Sequence, residues 1–221
     1  MADSLDYIHD ILRGISSEYV ESKRKPMASS LSICLRAAVY RARSNELDFI
    51  NDKMLYGTEN HAWLSRRMMD HMAKRGWRCE PEYKLEIDGI GGRVDLYCVN
   101  GDSRLIFEFK FSKNSTVHNP FLPFYRRQLK YYMAIDAKLN GGMPKGILLV
   151  MDFMLRTWYM EIVDSVDADA TLSDMRRRAA VFEESIANGT VPPREEGPHC
   201  NYCVFRRTCY SAQLELEYPT F

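Results

Sequence analysis

The segment RLIFEFKF, residues 104–111, alternates so strictly that a β-strand would put Phe107, Phe109 and Phe111 on one face and Ile106, Glu108 and Lys110 on the other. The aromatic face belongs in a core, which leaves an acid and a lysine two residues apart on the opposite face. Upstream, RVDLYCV places Asp95 on the face of Arg93 and Tyr97, opposite Val94, Leu96 and Cys98. Asn100-Gly101 supplies a hairpin turn between the two strands. Whether the loop holds two residues or four, antiparallel pairing brings Asp95 and Glu108 to one face, and the longer loop sets them directly opposite. Two like charges across a ladder repel unless a cation lies between them. Carboxylate oxygens suit Mg2+ or Mn2+, and a lysine at their edge can orient a water or neutralise charge developing on a phosphate. A half-exposed strand with a surface ion pair at Lys110 would satisfy the same spacing.

A second chemical signal lies in the tail. Cys200, Cys203 and Cys209 crowd into a stretch with little periodicity, where nothing but ligation requires three thiols in ten residues. Zinc is one reading, although structural zinc sites commonly use two close pairs and no fourth ligand stands nearby. Cys79 and Cys98 fall in strands and read as small core or edge residues.

The elements that must position these groups are legible from periodicity. Leu5, Ile8, Ile11, Leu12, Ile15 and Tyr19 mark an amphipathic helix over residues 4–21. A second helix follows Ser29 or Ser30 as cap, with Cys34 in its first two turns, and a third, rich in Met, spans about residues 46–74 before Gly76. Strands follow in WRCEPEYKLEI, RVDLYCV and RLIFEFKF. Helical period returns from Leu122 to Leu139 and stops at Gly141-Gly142. GILLVMDF and TWYMEIV read as a strand pair, and Thr171 to Asn188 as a last helix ending at Gly189. The pattern is α/β: a central mixed sheet flanked by helices.

Three motifs in order give this pattern a family likeness. GGRVDLYCVNGDSRLIFEFK resembles the Asp, then Glu-x-Lys core of the PD-(D/E)XK nucleases, here Asp95, Glu108 and Lys110. GTENH, ending at His61, resembles the Gly-x-x-x-His element of the RecB-like branch, and QLKYY, from Gln128 to Tyr132, its Gln-x-x-x-Tyr element. RecB-like nucleases with an iron-sulfur cluster place a fourth cysteine far upstream of the His element, and Cys34 stands there. The arrangement is similar to the CRISPR-associated exonucleases of the Cas-four family and to the nuclease domains of AddB-type proteins.

The resemblance implies a restriction-endonuclease-like fold over residues 1–221, with residues 46–189 as nuclease core and 1–45 and 190–221 as a cluster-binding cap. It implies Mn2+ or Mg2+ held by His61, Asp95, Glu108 and the Phe109 carbonyl, with Lys110, Asp95 and Glu108 catalytic. A 4Fe-4S cluster would sit on Cys34, Cys200, Cys203 and Cys209. Gln128, Tyr132, Arg127 and Lys130 would meet DNA, with Tyr125, Tyr131 and Tyr132 as groove aromatics and Arg126 beside them. The implied activity is trimming of single-stranded DNA ends, 5′ to 3′, on spacer precursors in partnership with the CRISPR integrase. A viral or repair nuclease of the same chemistry, or a non-catalytic DNA-holding module, is the alternative.

Composition restricts the partners. Thirty Lys plus Arg balance thirty Asp plus Glu, so no global field draws the chain to a polyanion, which must be met locally. Basic clusters such as Arg66-Arg67, Arg176 to Arg178 and Arg206-Arg207 also fit solvated faces. No apolar run approaches the ~20 residues of a membrane span, and the N-terminus lacks a signal-like apolar stretch. A reducing cytoplasm is expected, where six cysteines are poor grounds for disulfides. No Gly-x-x-x-x-Gly-Lys-Ser/Thr loop is present, so no motor is expected.

Overall fold

Two tight turns fold residues 78–111 into a three-stranded antiparallel meander. The strands are β1 (Arg78–Ile87), β2 (Ile90–Asn100) and β3 (Ser103–Phe111). Asp88 and Gly89 both carry positive φ (53° and 75°), the backbone that a two-residue hairpin demands. The second turn is Gly101-Asp102, one residue later than Asn100-Gly101, because Asn100 already pairs with Ser103. The structure, a computed structural model, describes residues 25–44, 52–152, 154 and 156–217, with side chains described outside 52–59 and 212–217. The amphipathic segment 4–21 lies outside the described residues.

After β3 the chain crosses over through α4 (Leu122–Asn140) to β4 (Lys145–Asp152), which pairs parallel with β3, and β5 (Thr157–Val163) closes the sheet antiparallel. Strand order is therefore β1-β2-β3-β4-β5, the mixed sheet expected. Before the sheet come α1 (Ala28–Leu31), α2 (Leu35–Arg43) and α3 (Asp52–Ala73); after it come α5 (Ala168–Asn188) and α6 (Arg206–Glu217). No described helix is long and apolar enough to cross a membrane.

Boundaries differ from expectation where a local signal was missed. The helix predicted after Ser29 breaks at Ser32–Cys34, so Cys34 caps α2 from outside with extended backbone. Helix α5 begins at Ala168, three residues early, because the Asp167 carboxylate accepts the Ala170 N–H. The tail holds a 3-10 turn (Pro198–Tyr202) and α6, with Cys209 in its first turn; the few apolar residues there gave no helical period.

Each face of the sheet packs separately. Phe107, Phe109, Leu96, Cys98 and Leu149 meet Leu64 and the methionines of α3. Ile106, Leu148 and Val150 meet the larger layer of α1, α2, α4 and α5. Alternation fails once. Val94 joins Tyr97 in the larger layer, although its parity with Leu96 predicts the other face. The change of phase falls at Glu82, a non-glycine with φ 52°, and Asp95 opposite it, between the pairs Pro81↔Leu96 and Tyr83↔Val94. Cys79 and Cys98 are directly paired across β1 and β2, and their sulfurs are joined in a disulfide, which corrects the reading of both as independent core residues. That contact depends on the register of β1 on β2, which neither strand's own pattern reveals.

Helix α4 lies close to the sheet because Gly92 and Gly146 present no side chain. A Cβ at Gly92 would stand 2.4 Å from the Tyr132 ring, which is fully buried. Gly92→Ala is therefore expected to lose about 1–3 kcal/mol through overpacking, read as a lower denaturant midpoint; an unchanged midpoint would show that the ring has room to move.

Candidate active site

The β2–β3 ladder ends at Leu96↔Phe107, and Asp95 stands at the mouth of the fork. Its Oδ2 accepts the Phe109 N–H at 2.6 Å, so the carboxylate takes the place of a backbone partner. Its Oδ1 lies 3.0 Å from His61 Nδ1, which arrives from α3. The His61 ring also rests against Phe111, centroids 5.0 Å apart.

The ladder stops one pair short of Asp95 and Glu108, so the two carboxylates are neighbours across the fork rather than a paired rung. Glu108 is 1% exposed. Lys110 Nζ forms an ion pair with its Oε1 at 2.5 Å, yet neither carboxylate oxygen has a well-directed hydrogen-bond partner among the described residues. Burial first, and the Asp95 charge second, push the Glu108 carboxyl up to about 8, with Lys110 opposing them. Glu82, which the sequence did not single out, adds to the upward push. Burial works against the Lys110 charge, but Glu108 and Asp95 outweigh it and raise its pKa, so the lysine remains an ammonium.

From above, α4 closes the site with a relay. Lys110 Nζ donates to Gln128 Oε1 (3.1 Å), and Gln128 Nε2 donates to the Tyr132 hydroxyl (3.0 Å). Gln128 and Tyr132, expected to act independently, are thus bonded to each other. Burial raises the Tyr132 phenol well above its ordinary value, so it stays neutral. Tyr125 lies under Lys110 Nζ, 5.4 Å from its ring centre.

Other expected contacts point elsewhere. Tyr131 and Tyr132 are each 1% exposed, and a buried ring has no face to offer a base, which corrects the expectation that they line a groove. Arg126 is bound by Glu161 and Tyr159 on β5, and exposed Lys130 lies near enough to lower the Glu161 pKa. Arg127 donates to the Ser32 carbonyl on the opposite side. Arg176, Arg177 and Arg178 are paired with Asp88, Asp174 and Glu195.

The four remaining cysteines converge. Cys34, Cys200, Cys203 and Cys209 line one cavity with Arg36, Tyr40 and His199, and all four thiols are half-buried. Burial, with the Glu195 carboxylate adding, pushes the Cys34 thiol up. A polar clamp sets this geometry. Arg178, 5% exposed, donates to the carbonyls of Leu31 and Ile33 and grips Glu195 with two nitrogens, while Glu195 accepts the Leu35 N–H at 2.7 Å. Arg36 reaches the Pro192 carbonyl and the Cys209 sulfur. Among the described residues no three His, Cys, Asp or Glu side chains already stand in ligating geometry. The donors nevertheless suit their groups: Glu108 brings two buried oxygens, one of them ion-paired with Lys110, and four thiols share one cavity.

The site thus combines a two-carboxylate fork with a lysine beside it, on a mixed sheet with flanking helices. The sequence matches the PD-(D/E)XK nuclease superfamily over residues 6–210, and the chain belongs to that superfamily. Such nucleases typically use divalent ions such as Mg2+ or Mn2+. No curated protein matches it. Among solved structures it is similar to SSO0001, at 17% identity and TM-score 0.60, over 90% of this chain and 96% of that one. It is also similar to LHK-Exo, an alkaline exonuclease from Laribacter hongkongensis, at 15% identity and TM-score 0.51, over 78% of this chain and 93% of that one. The same enzyme in complex with dAMP gives 16% and 0.52. At these identities the likeness concerns the fold.

The two carboxylates should respond oppositely to removal. Glu108 holds a proton in the folded chain between its ordinary 4.5 and about 8, where the unfolded chain has lost it. Its contribution to stability is therefore full below 4.5 and falls as pH rises through that window. Metal-free protein should lose stability from pH 5 to pH 8 more steeply than Glu108→Gln, whereas parallel melting curves would contradict the buried charge. Asp95→Ala should instead destabilise by about 1–3 kcal/mol, because the buried Phe109 N–H loses its acceptor.

Proposed function

We propose that this chain is a divalent-metal-dependent deoxyribonuclease acting on single-stranded ends. The observation that carries the reading is Glu108: a fully buried acid near a second carboxylate, Asp95, with the Lys110 ammonium at 2.5 Å as its close cationic partner, is a position that a divalent cation would stabilise further. His61, Asp95, Glu108 and the Phe109 carbonyl would hold the ion, which when bound polarises a phosphate and acidifies a bound water. Lys110 is kept protonated and so does not take the proton from that water; it orients the nucleophile and meets the charge developing on the phosphate. Gln128 fixes the ammonium, and Tyr132 fixes Gln128. Mn2+ as an alternative to Mg2+ rests on the nitrogen ligand.

The likeness to an alkaline exonuclease supports digestion from ends. Polarity from 5′ to 3′, trimming of spacer precursors and partnership with the CRISPR integrase rest on the resemblance to the Cas-four family, carried by the order of the His61, Asp95, Glu108-Lys110 and Gln128-Tyr132 motifs together with Cys34, Cys200, Cys203 and Cys209. With Mn2+ or Mg2+ the protein should shorten end-labelled single strands. Lys110→Ala should slow this about 100- to 1,000-fold while still binding Mn2+, and Asp95→Ala should lose both. Parental hydrolysis by Asp95→Ala would place the chemistry elsewhere.

The reading extends to a 4Fe-4S cluster on Cys34, Cys200, Cys203 and Cys209, supported by their common cavity and serving to join the α2 segment to the tail. Protein purified without oxygen should be brown and yield iron and acid-labile sulfide. Colourless protein with one tightly held zinc per chain would replace the cluster by a zinc site.

A further inference from the structure

Helix α4 carries a row of rings that hydrolysis does not use. It starts at Tyr125, half-buried beneath the Lys110 ammonium. One turn earlier, Phe121 lies nearly parallel to Tyr125, with centroids 6.1 Å apart and planes 17° apart. Tyr202 continues the row 5.9 Å beyond Phe121. It belongs to the turn between Cys200 and Cys203 and is 76% exposed. Beside the row, Phe124 and His199 meet edge to face at 5.1 Å and fasten that turn to the start of α4.

Exposure grows along this row, from half-buried Tyr125 and Phe121 to the open ring of Tyr202. A ring as open as Tyr202 contributes little to the core, and contiguous exposed aromatic surface marks a place where something binds. What binds is constrained by where the row begins. Its inner end is the ammonium of a phosphodiester-cleaving site, so the occupant must be continuous with the substrate. A duplex keeps its base faces stacked inside, whereas a single strand presents them to aromatic rings without regard to sequence.

We propose that Tyr125, Phe121 and Tyr202 form a base-stacking track for a single-stranded polynucleotide, running from the hydrolytic site to the cysteine-lined cap. The proposal rests on the nuclease reading above. It gives the cap a part in substrate grip, because the Cys200–Cys203 turn delivers the outermost ring.

Fluorescence anisotropy of a short labelled oligothymidylate, with the full-length protein and no divalent ion so that cleavage is stopped, tests it. Tyr202→Ala should weaken binding about 5- to 150-fold, as loss of one base-aromatic stack does, and Tyr202→Trp should keep the parental affinity. The salt dependence of binding should not flatten, since a ring releases no counterions. Phe121→Ala, at a second point on the row, should weaken binding in the same way. If both alanine variants bind like a parent that degrades DNA, the track is overturned and the nuclease reading stands. A weaker Tyr202→Ala with a flattened salt slope also overturns it, because phosphate contacts would then have been lost. A parent that neither binds nor cleaves DNA removes the nuclease reading itself.

Discussion

The structure turns on one carboxylate standing in for a strand. Beyond Leu96↔Phe107 the backbones of β2 and β3 part, and the Phe109 N–H would be left without an acceptor in a buried layer. Asp95 supplies one. A fork held in this way keeps two strands apart at the point where Glu108 faces inward. That duty explains why Asp95 and Glu108, alike in charge and facing across the fork, are not equivalent. Asp95 is paid for by hydrogen bonds from neighbouring groups, and Glu108 is held by burial against its own charge.

A site of this kind requires a cover that tolerates charge, and α4 supplies it by close approach. Gly92 lets the Tyr132 ring sit on β2, and the relay from Tyr132 through Gln128 to Lys110 then follows from helical spacing, since residues four apart lie one above the other. The basic residues of the same helix cannot share this face. Arg126 turns to β5 and Arg127 to the α1 side, which leaves aromatic rings on the exposed side of the site. Positive charge at Arg126 and Arg127 therefore braces the fold.

Much of the site was legible because alternation assigns faces. Glu108 and Lys110 lie opposite Phe107 and Phe109 as their parity requires, while the hairpin register, open in the sequence between two loop lengths, was set by a turn at Gly101-Asp102. Parity fails where backbone conformation changes, and no residue type announces the positive φ of Glu82, so Val94 changed layers unseen. Period also says which way a side chain points but not how deep it lies: Tyr131 and Tyr132 look like Tyr125 in the sequence and differ from it by burial alone. Contacts between remote segments left no local trace. The Cys79–Cys98 disulfide needed the β1–β2 register, and the Arg178–Glu195 clamp needed α5, the α1–α2 loop and the tail in place at once.

That clamp alters what a cluster has to do. If four thiols alone tied the α2 segment to the tail, the cap would exist only around its inorganic group. Arg178 instead gathers Leu31, Ile33 and Glu195, and Glu195 fixes Leu35, so the loop that bears Cys34 is anchored by protein hydrogen bonds on both sides. Arg178 is buried but Glu195 is 34% exposed, so removing one partner costs less than the about 3–5 kcal/mol of a fully buried pair. A group bound to the four thiols then acts on a frame that already exists. The same frame extends to the start of the Cys200–Cys203 turn, since the Glu195 carbonyl lies 3.0 Å from His199 Nε2.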